Sequence, residues 1–138
     1  MIEEYRKQLR SKLTDHLLDF LRRSGLPDKM LGFLLRTAHF HTPWYFLLFF
    51  IFLPKRWALA ALVPLVLSAL LFFYFKGCFL SVVEYKLTGR DDNIIDPYIL
   101  LCNETISDSS RYSYTVYTAV IYFIVAFLIL LSRGCFSL

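Results

Sequence analysis

Apolar residues are concentrated in three long stretches separated by polar ones. From Trp57 to Phe75 there is no charge, and Ser68 is the one polar non-aromatic side chain. Nineteen residues rising 1.5 Å each span roughly 29 Å, the thickness of a hydrocarbon core. Ser113 to Ser132 is equally uncharged and predicts a second spanning helix, 113–132. Leu31 to Leu53 is more mixed: Trp44 to Leu53 is apolar, but the first half carries Arg36, His39 and His41. Ten apolar residues cannot span alone, so the polar half must continue the helix and the predicted span is 31–53. Pro54, Lys55 and Arg56 then predict a short turn that makes a hairpin of this helix and the next, 57–75.

The N-terminus reads differently. Ile2, Tyr5, Leu9, Leu13, Leu17, Phe20 and Leu21 recur at three- and four-residue spacing, which predicts one apolar stripe on a helix within residues 1–25. Glu3, Glu4, Arg6, Lys7, Arg10 and Lys12 occupy the place of a signal-peptide core, and Gly25 with Pro27 supplies the stop. Such a helix lies on a membrane surface or packs against a partner. Its acids, Asp15 and Asp19 among them, dilute the basic face and weaken the case for anionic lipid alone.

The connection 76–112 is too long to be plain loop. Phe79 to Leu87 predicts a helix with Leu80, Val83 and Leu87 on one face, broken by Gly89 and the run Arg90-Asp91-Asp92-Asn93. Asp96-Pro97 predicts a short helix through about Cys102, with Asp96 as its N-cap and proline at the first helical position. Ser110 is the expected cap of the last span.

Charge then sets orientation. Seven Lys and Arg precede the first predicted span and four lie in the connection, against Lys55, Arg56 and Arg133 on the other side. Eleven against three predicts three spans with the N-terminus cytoplasmic and the C-terminus on the opposite side. The single domain expected for 26–138 thus has a cytoplasmic connection, and the Asn103-Glu104-Thr105 sequon faces the cytoplasm unmodified. The net charge of +4 is a topology signal, because the basic residues form no nucleic-acid-type cluster. Composition agrees: 57% hydrophobic residues, 18% aromatic and 19% charged, with a mean hydropathy of +0.53, exceed what a soluble domain this small can hide. Three cysteines exclude a disulfide scaffold.

Candidate chemistry is sparse. Ionisable groups in membrane-embedded sequence are costly, so Arg36 and His39 need partners. Glu84 and Asp96 are the natural ones, and a cytoplasmic-side polar cluster of Arg36, His39, Glu84 and Asp96 is expected to fix packing. A proton or ion pathway finds no ionisable residue in the other spans to continue it. His39 and His41, two apart, point in nearly opposite directions on a helix, and haem would need a second chain or another ligand type. A zinc site of His39 with Cys78, Cys102 and a carboxylate matches no compact motif. Asp91-Asp92 reads as a solvated loop. Pro43 and Pro64 free the carbonyls of His39 and Ala60. Cys78 and Cys135 sit near membrane boundaries where acylation is an option, inert thiols being the simpler reading. No nucleophile elbow, Walker loop, zincin helix or dinucleotide turn occurs.

The segment Gly77-Cys78-Phe79-Leu80-Ser81-Val82-Val83-Glu84-Tyr85-Lys86-Leu87 resembles an uncharacterised family of small multi-helix membrane proteins that carry Cys-Pro-Leu-Thr-x-Leu-Glu-x-x-Leu after their second helix. Cys78, Leu80, Ser81 (for Thr), Glu84 and Leu87 match, and Phe79 replaces the proline. His39 stands for that family's first-helix histidine, and Arg56-Trp57 echoes its basic residue before a tryptophan. Leu87 to Pro97 is similar to small membrane proteins encoded by large DNA viruses of algae and amoebae. The likeness covers roughly residues 36–132 and leaves out the N-terminal helix. It implies a helical membrane fold with no assigned chemistry, in a setting that includes viral internal membranes.

The sequence therefore predicts an all-α integral membrane protein without enzymatic activity, cofactor or bound metal. Its expected role is structural or assembly-related, anchoring a membrane to other membrane or shell proteins through residues 2–24 and 88–112, alone or as an oligomer. The alternatives are a redox, haem- or metal-binding protein using His39 with His41 or Cys78, and a small oligomeric channel or carrier.

Overall fold

Acidic residues at the start of the first helix and a basic one at its end complement the helix dipole, and α1 runs from Ile2 to Arg22. The computed structural model describes residues 1–136; residues 137–138, at the end of the expected membrane domain, and the Ile2 side chain, counted in the apolar stripe, lie outside the described residues. Five more helices follow: α2 (Asp28–Phe52), α3 (Lys55–Phe75), α4 (Phe79–Thr88), α5 (Asp96–Leu101) and α6 (Asp108–Ser132). Among the described residues the fold is all-helical.

Helices α3 and α6 are long and apolar enough to cross a membrane, and only 11% of the apolar window in each is buried by the protein itself. A core helix of a soluble protein would be mostly covered. The first half of α2, with Arg36, His39 and His41, keeps that helix below the same standard, so two helices, where three were expected, are long and apolar enough to span.

Packing divides the chain into two compact units. The first comprises residues 1–40 and 71–93, hence α1, the start of α2, the end of α3 and α4. Leu18, Leu31, Val83 and Leu87 form its core, with Leu17, Leu21, Leu35 and Phe79 against them. The stripe on α1 is divided by this packing. Leu17 and Leu21 turn toward the core and Thr14 is buried, whereas Tyr5, Leu13 and Phe20 are exposed. A helix stripe drifts around the cylinder with the 3.6-residue period, and α4 selects the sector centred on Thr14 and Leu18. Four ion pairs or hydrogen bonds fasten the same helix: Lys86 to Asp15 at 2.8 Å, Lys76 to Glu3 at 3.3 Å, Arg10 to the Cys78 carbonyl at 3.1 Å and Arg6 to the Tyr74 carbonyl at 3.4 Å. The hydrogen bond from Lys86 holds the Asp15 carboxyl below its usual range.

Gly32 sets how closely α2 approaches α4. A Cβ there would run into Thr88 Cγ2 and come within 3.3 Å of Leu87 Cβ. Thr88 cannot swing aside cheaply, because its hydroxyl donates to the Glu84 carbonyl at 2.9 Å. Gly32→Val is expected to cost about 1–3 kcal/mol by overpacking. Thr88→Ala in the same chain should recover part of that loss. Thermal unfolding in detergent measures both.

Among the described residues the second unit comprises 41–70 and 94–136. Phe50, Ala58, Ala126 and Leu130 are its buried core, where alanines let the helices come close. The hairpin turn is shorter than expected. Lys55 and Arg56 already belong to α3, since the Pro54 carbonyl accepts from the N–H groups of Trp57 and Ala58. Helix α2 has no basic residue in its last turn, and Arg133 supplies the cation from the end of α6. Its guanidinium donates to the carbonyls of Phe50 and Leu53, satisfying groups that a helix end leaves unpaired. Lys55 Nζ reaches the Gly134 carbonyl at 3.1 Å, and the Tyr122 hydroxyl donates to the Pro43 carbonyl at 2.8 Å.

Two expected caps move. Ser107, not Ser110, is the N-cap of α6; Ser110 is its capping-box partner, each side chain accepting from the other's backbone N–H as the motif requires. The extra turn thereby gained starts α6 at Asp108 instead of Ser113. In α5 the N-cap is Ile95, and Asp96 is already helical because its carboxylate is engaged elsewhere.

Candidate functional site

The polar residues of the first unit gather where α2, α4 and the loop after α4 meet. Helix α2 puts Arg36 and His39 on the side facing α4, one turn apart. Helix α4 begins after Cys78, its N-cap, and brings Ser81, Glu84 and Thr88 along one edge. Gly89 ends it in the left-handed conformation, φ 69°, with its N–H on the Tyr85 carbonyl, and so turns the acidic run back toward α2.

Arg36 is the hub. One Nη lies 3.0 Å from Glu84 Oε1 and 2.9 Å from Asp92 Oδ2. The Glu84 side chain is only 7% exposed, against 32% for Arg36 and 44% for Asp92. The inner carboxylate therefore depends on Arg36 for its compensation, while the outer one is half-solvated. Arg90 also pairs with Asp92, at 3.3 Å. Asn93 Nδ2 donates to Ser81 Oγ at 3.3 Å and ties the loop to α4.

Behind this network stands a second pair. His39 Nε2 is 3.5 Å from Cys78 Sγ. The Arg10 guanidinium rests on the Gly77-Cys78 backbone, and both Arg10 Nε and His39 Nδ1 are buried without a hydrogen-bond partner. Burial alone would raise the Cys78 thiol, but the His39 hydrogen bond and charge, with Ser81, outweigh it and bring the group down to about 7.

The structure thus brings Arg36 to Glu84 and His39 to Cys78, and it places Asp96 elsewhere. Asp96 belongs to the second unit, where both its oxygens accept from Arg111, at 2.8 Å each. Asp92 takes the position expected of Asp96 beside Arg36, because Gly89 turns the loop back within a few residues of the end of α4. Asp92 is thus an ion-pair partner as well as the exposed loop residue that its neighbours suggest. Nothing in local composition separates it from Asp91; the turn does. Arg10 carries no sequence signal for this site either, since on α1 it reads as one more surface cation.

Of the motif residues, Glu84 and Leu87 are buried, with Cys78, Leu80 and Ser81 half-buried beside them. His41 is exposed, its ring 6.3 Å from that of Tyr45. Cys102 is exposed after α5. Among the described residues no three of His, Cys, Asp and Glu converge closely enough to hold a metal ion.

No family model matches the chain, and neither a curated protein nor a solved structure is significantly similar to it.

Proposed function

We propose that this protein is a three-span integral membrane protein with a cytoplasmic N-terminus and a structural or assembly role. The observation that carries this reading is the separation of surfaces. Helices α3 and α6 bury only 11% of their apolar windows within the protein, while ion pairs concentrate around α1, α4 and the start of α2. Only lipid covers so much apolar surface without a partner protein. The third span, α2, is supported by its end: Arg133 and Lys55 tie the end of α2, the start of α3 and the end of α6 together, as alternating crossings require. The Lys and Arg asymmetry gives the orientation. Arg36 is tolerable in such a span because it lies near the boundary and is paired with Glu84.

In this reading α1 is the docking element. Its buried sector holds it to α4, and its other side offers Glu4, Gln8, Lys12 and Asp19 to a protein partner. Resemblance in the Leu87 to Pro97 segment extends the proposal to a viral internal membrane held to a shell.

Alkaline carbonate should leave the protein in the membrane. Impermeant thiol reagents should reach Cys102 from the face of the N-terminus and Cys135 from the other; both from one face would overturn the topology. A photo-crosslinker at Lys12 in the native membrane should give a discrete protein adduct, and lipid adducts alone would overturn the anchoring role. His39 beside Cys78 supplies two donors for the rival metal or redox reading, which a haem Soret band or stoichiometric metal in the purified protein would favour.

A further inference from the structure

We propose that Cys78 is an S-acylation site, its thiol activated by His39 to accept a fatty acyl chain from an acyl thioester. The inference rests on the membrane reading above, because it places Cys78 three residues beyond the last turn of a spanning helix.

Four features converge on this sulfur. The His39 imidazole lies within hydrogen-bond reach at 3.5 Å. Cys78 is the N-cap of α4 with no side-chain capping bond, so the positive end of a ten-residue helix faces it. Arg10 donates to its carbonyl from α1, adding a second positive group. The last turns of α3 expose Leu71, Phe73 and Tyr74, apolar surface beside which a chain attached at Cys78 can enter lipid. The charged groups around the pair are Arg10 from α1, Arg36 from α2 and Glu84 from α4, the last two neutralising each other. A thiol with an imidazole, a helix N-terminus and a guanidinium is set up as a nucleophile, which an inert thiol packed among apolar side chains is not.

The chemistry balances without an oxidant. The Cys78 proton passes to His39 Nε2, and the thiolate attacks the carbonyl carbon of the donor thioester. The donor's carbon–sulfur bond breaks, its sulfur leaves with the proton returned by His39, and a new thioester joins the acyl group to Cys78. Cys102 and Cys135 serve as internal controls on the same chain.

The protein in phosphatidylcholine vesicles, given an alkyne-bearing palmitoyl-coenzyme A, should acquire label that neutral hydroxylamine removes. Cys78→Ser should abolish it, and Cys102→Ser and Cys135→Ser should not. His39→Gln should slow labelling by about 10- to 100-fold. It should also move the midpoint of Cys78 alkylation by iodoacetamide from about 7 toward the free-thiol value of about 8.5, a shift that a packing role would not produce. Unchanged label in Cys78→Ser, no hydroxylamine-sensitive label, an unmoved alkylation midpoint, or metal bound stoichiometrically to the pair would each overturn the proposal. Extraction by carbonate would instead overturn the membrane reading, whereas an integral but unlabelled protein would overturn this inference alone.

Discussion

Asp96→Ala is expected to lower stability by about 3 kcal/mol, the low end of what breaking a buried ion pair costs. Its carboxylate is 9% exposed and the Arg111 guanidinium 18%, and the two form a two-pronged pair at 2.8 Å on each oxygen. Such a fork fixes both position and angle, so α5 is held to the first turn of α6 by this pair. Removing the acid takes from a largely buried guanidinium the carboxylate that holds it on two oxygens, and that loss of compensation, more than the lost attraction, sets the magnitude. Replacing both partners by apolar residues of similar size, Asp96→Leu with Arg111→Met, should recover most of the loss. Thermal unfolding in detergent measures the comparison. A single variant as stable as the parent would show that α5 is not held by this pair.

Arg36→Ala is expected to cost about 2–3 kcal/mol, and Glu84→Ala distinctly less. The asymmetry follows from geometry. Without Arg36, Glu84 is a carboxylate 7% exposed with its cation gone; without Glu84, Arg36 still has Asp92 at 2.9 Å. The double variant should fall short of the sum of the two singles by about 1 kcal/mol or more, the mark of a direct interaction. Raising salt should weaken the contribution of the half-exposed Asp92 more than that of Glu84. Equal losses from both single variants, or full additivity, would contradict the hub role assigned to Arg36.

These two ion pairs also mark how far the sequence can be read. A costly charge inside an apolar stretch demands a partner, and Glu84 is identifiable because α3 returns the chain to the side from which α2 starts, and α4 continues it. The same logic does not separate Asp96 from its neighbours. Every acid of the connection satisfies the charge requirement equally, and the choice of Asp92 depends on the left-handed turn at Gly89. Arg111, in the first turn of α6, then claims Asp96. The proximity of Cys78 to His39 is equally hidden, because the two are 39 residues apart and neither carries a local pattern that names the other.

By itself the sequence determined what depends on one residue type or one period: the all-helical fold, the two apolar helices, the amphipathic character of the N-terminus and the breaks at Gly25 and Gly89. Each is a local free-energy preference, decided within a turn or two of the chain. The tertiary structure alone decided which sector of α1 is buried, which acid faces Arg36, that Arg133 completes the end of α2, and that Cys78 has an imidazole beside it. Those outcomes depend on where distant turns aim short side chains. A displacement of an ångström or two makes or breaks such a pairing, and it leaves no trace in composition or periodicity.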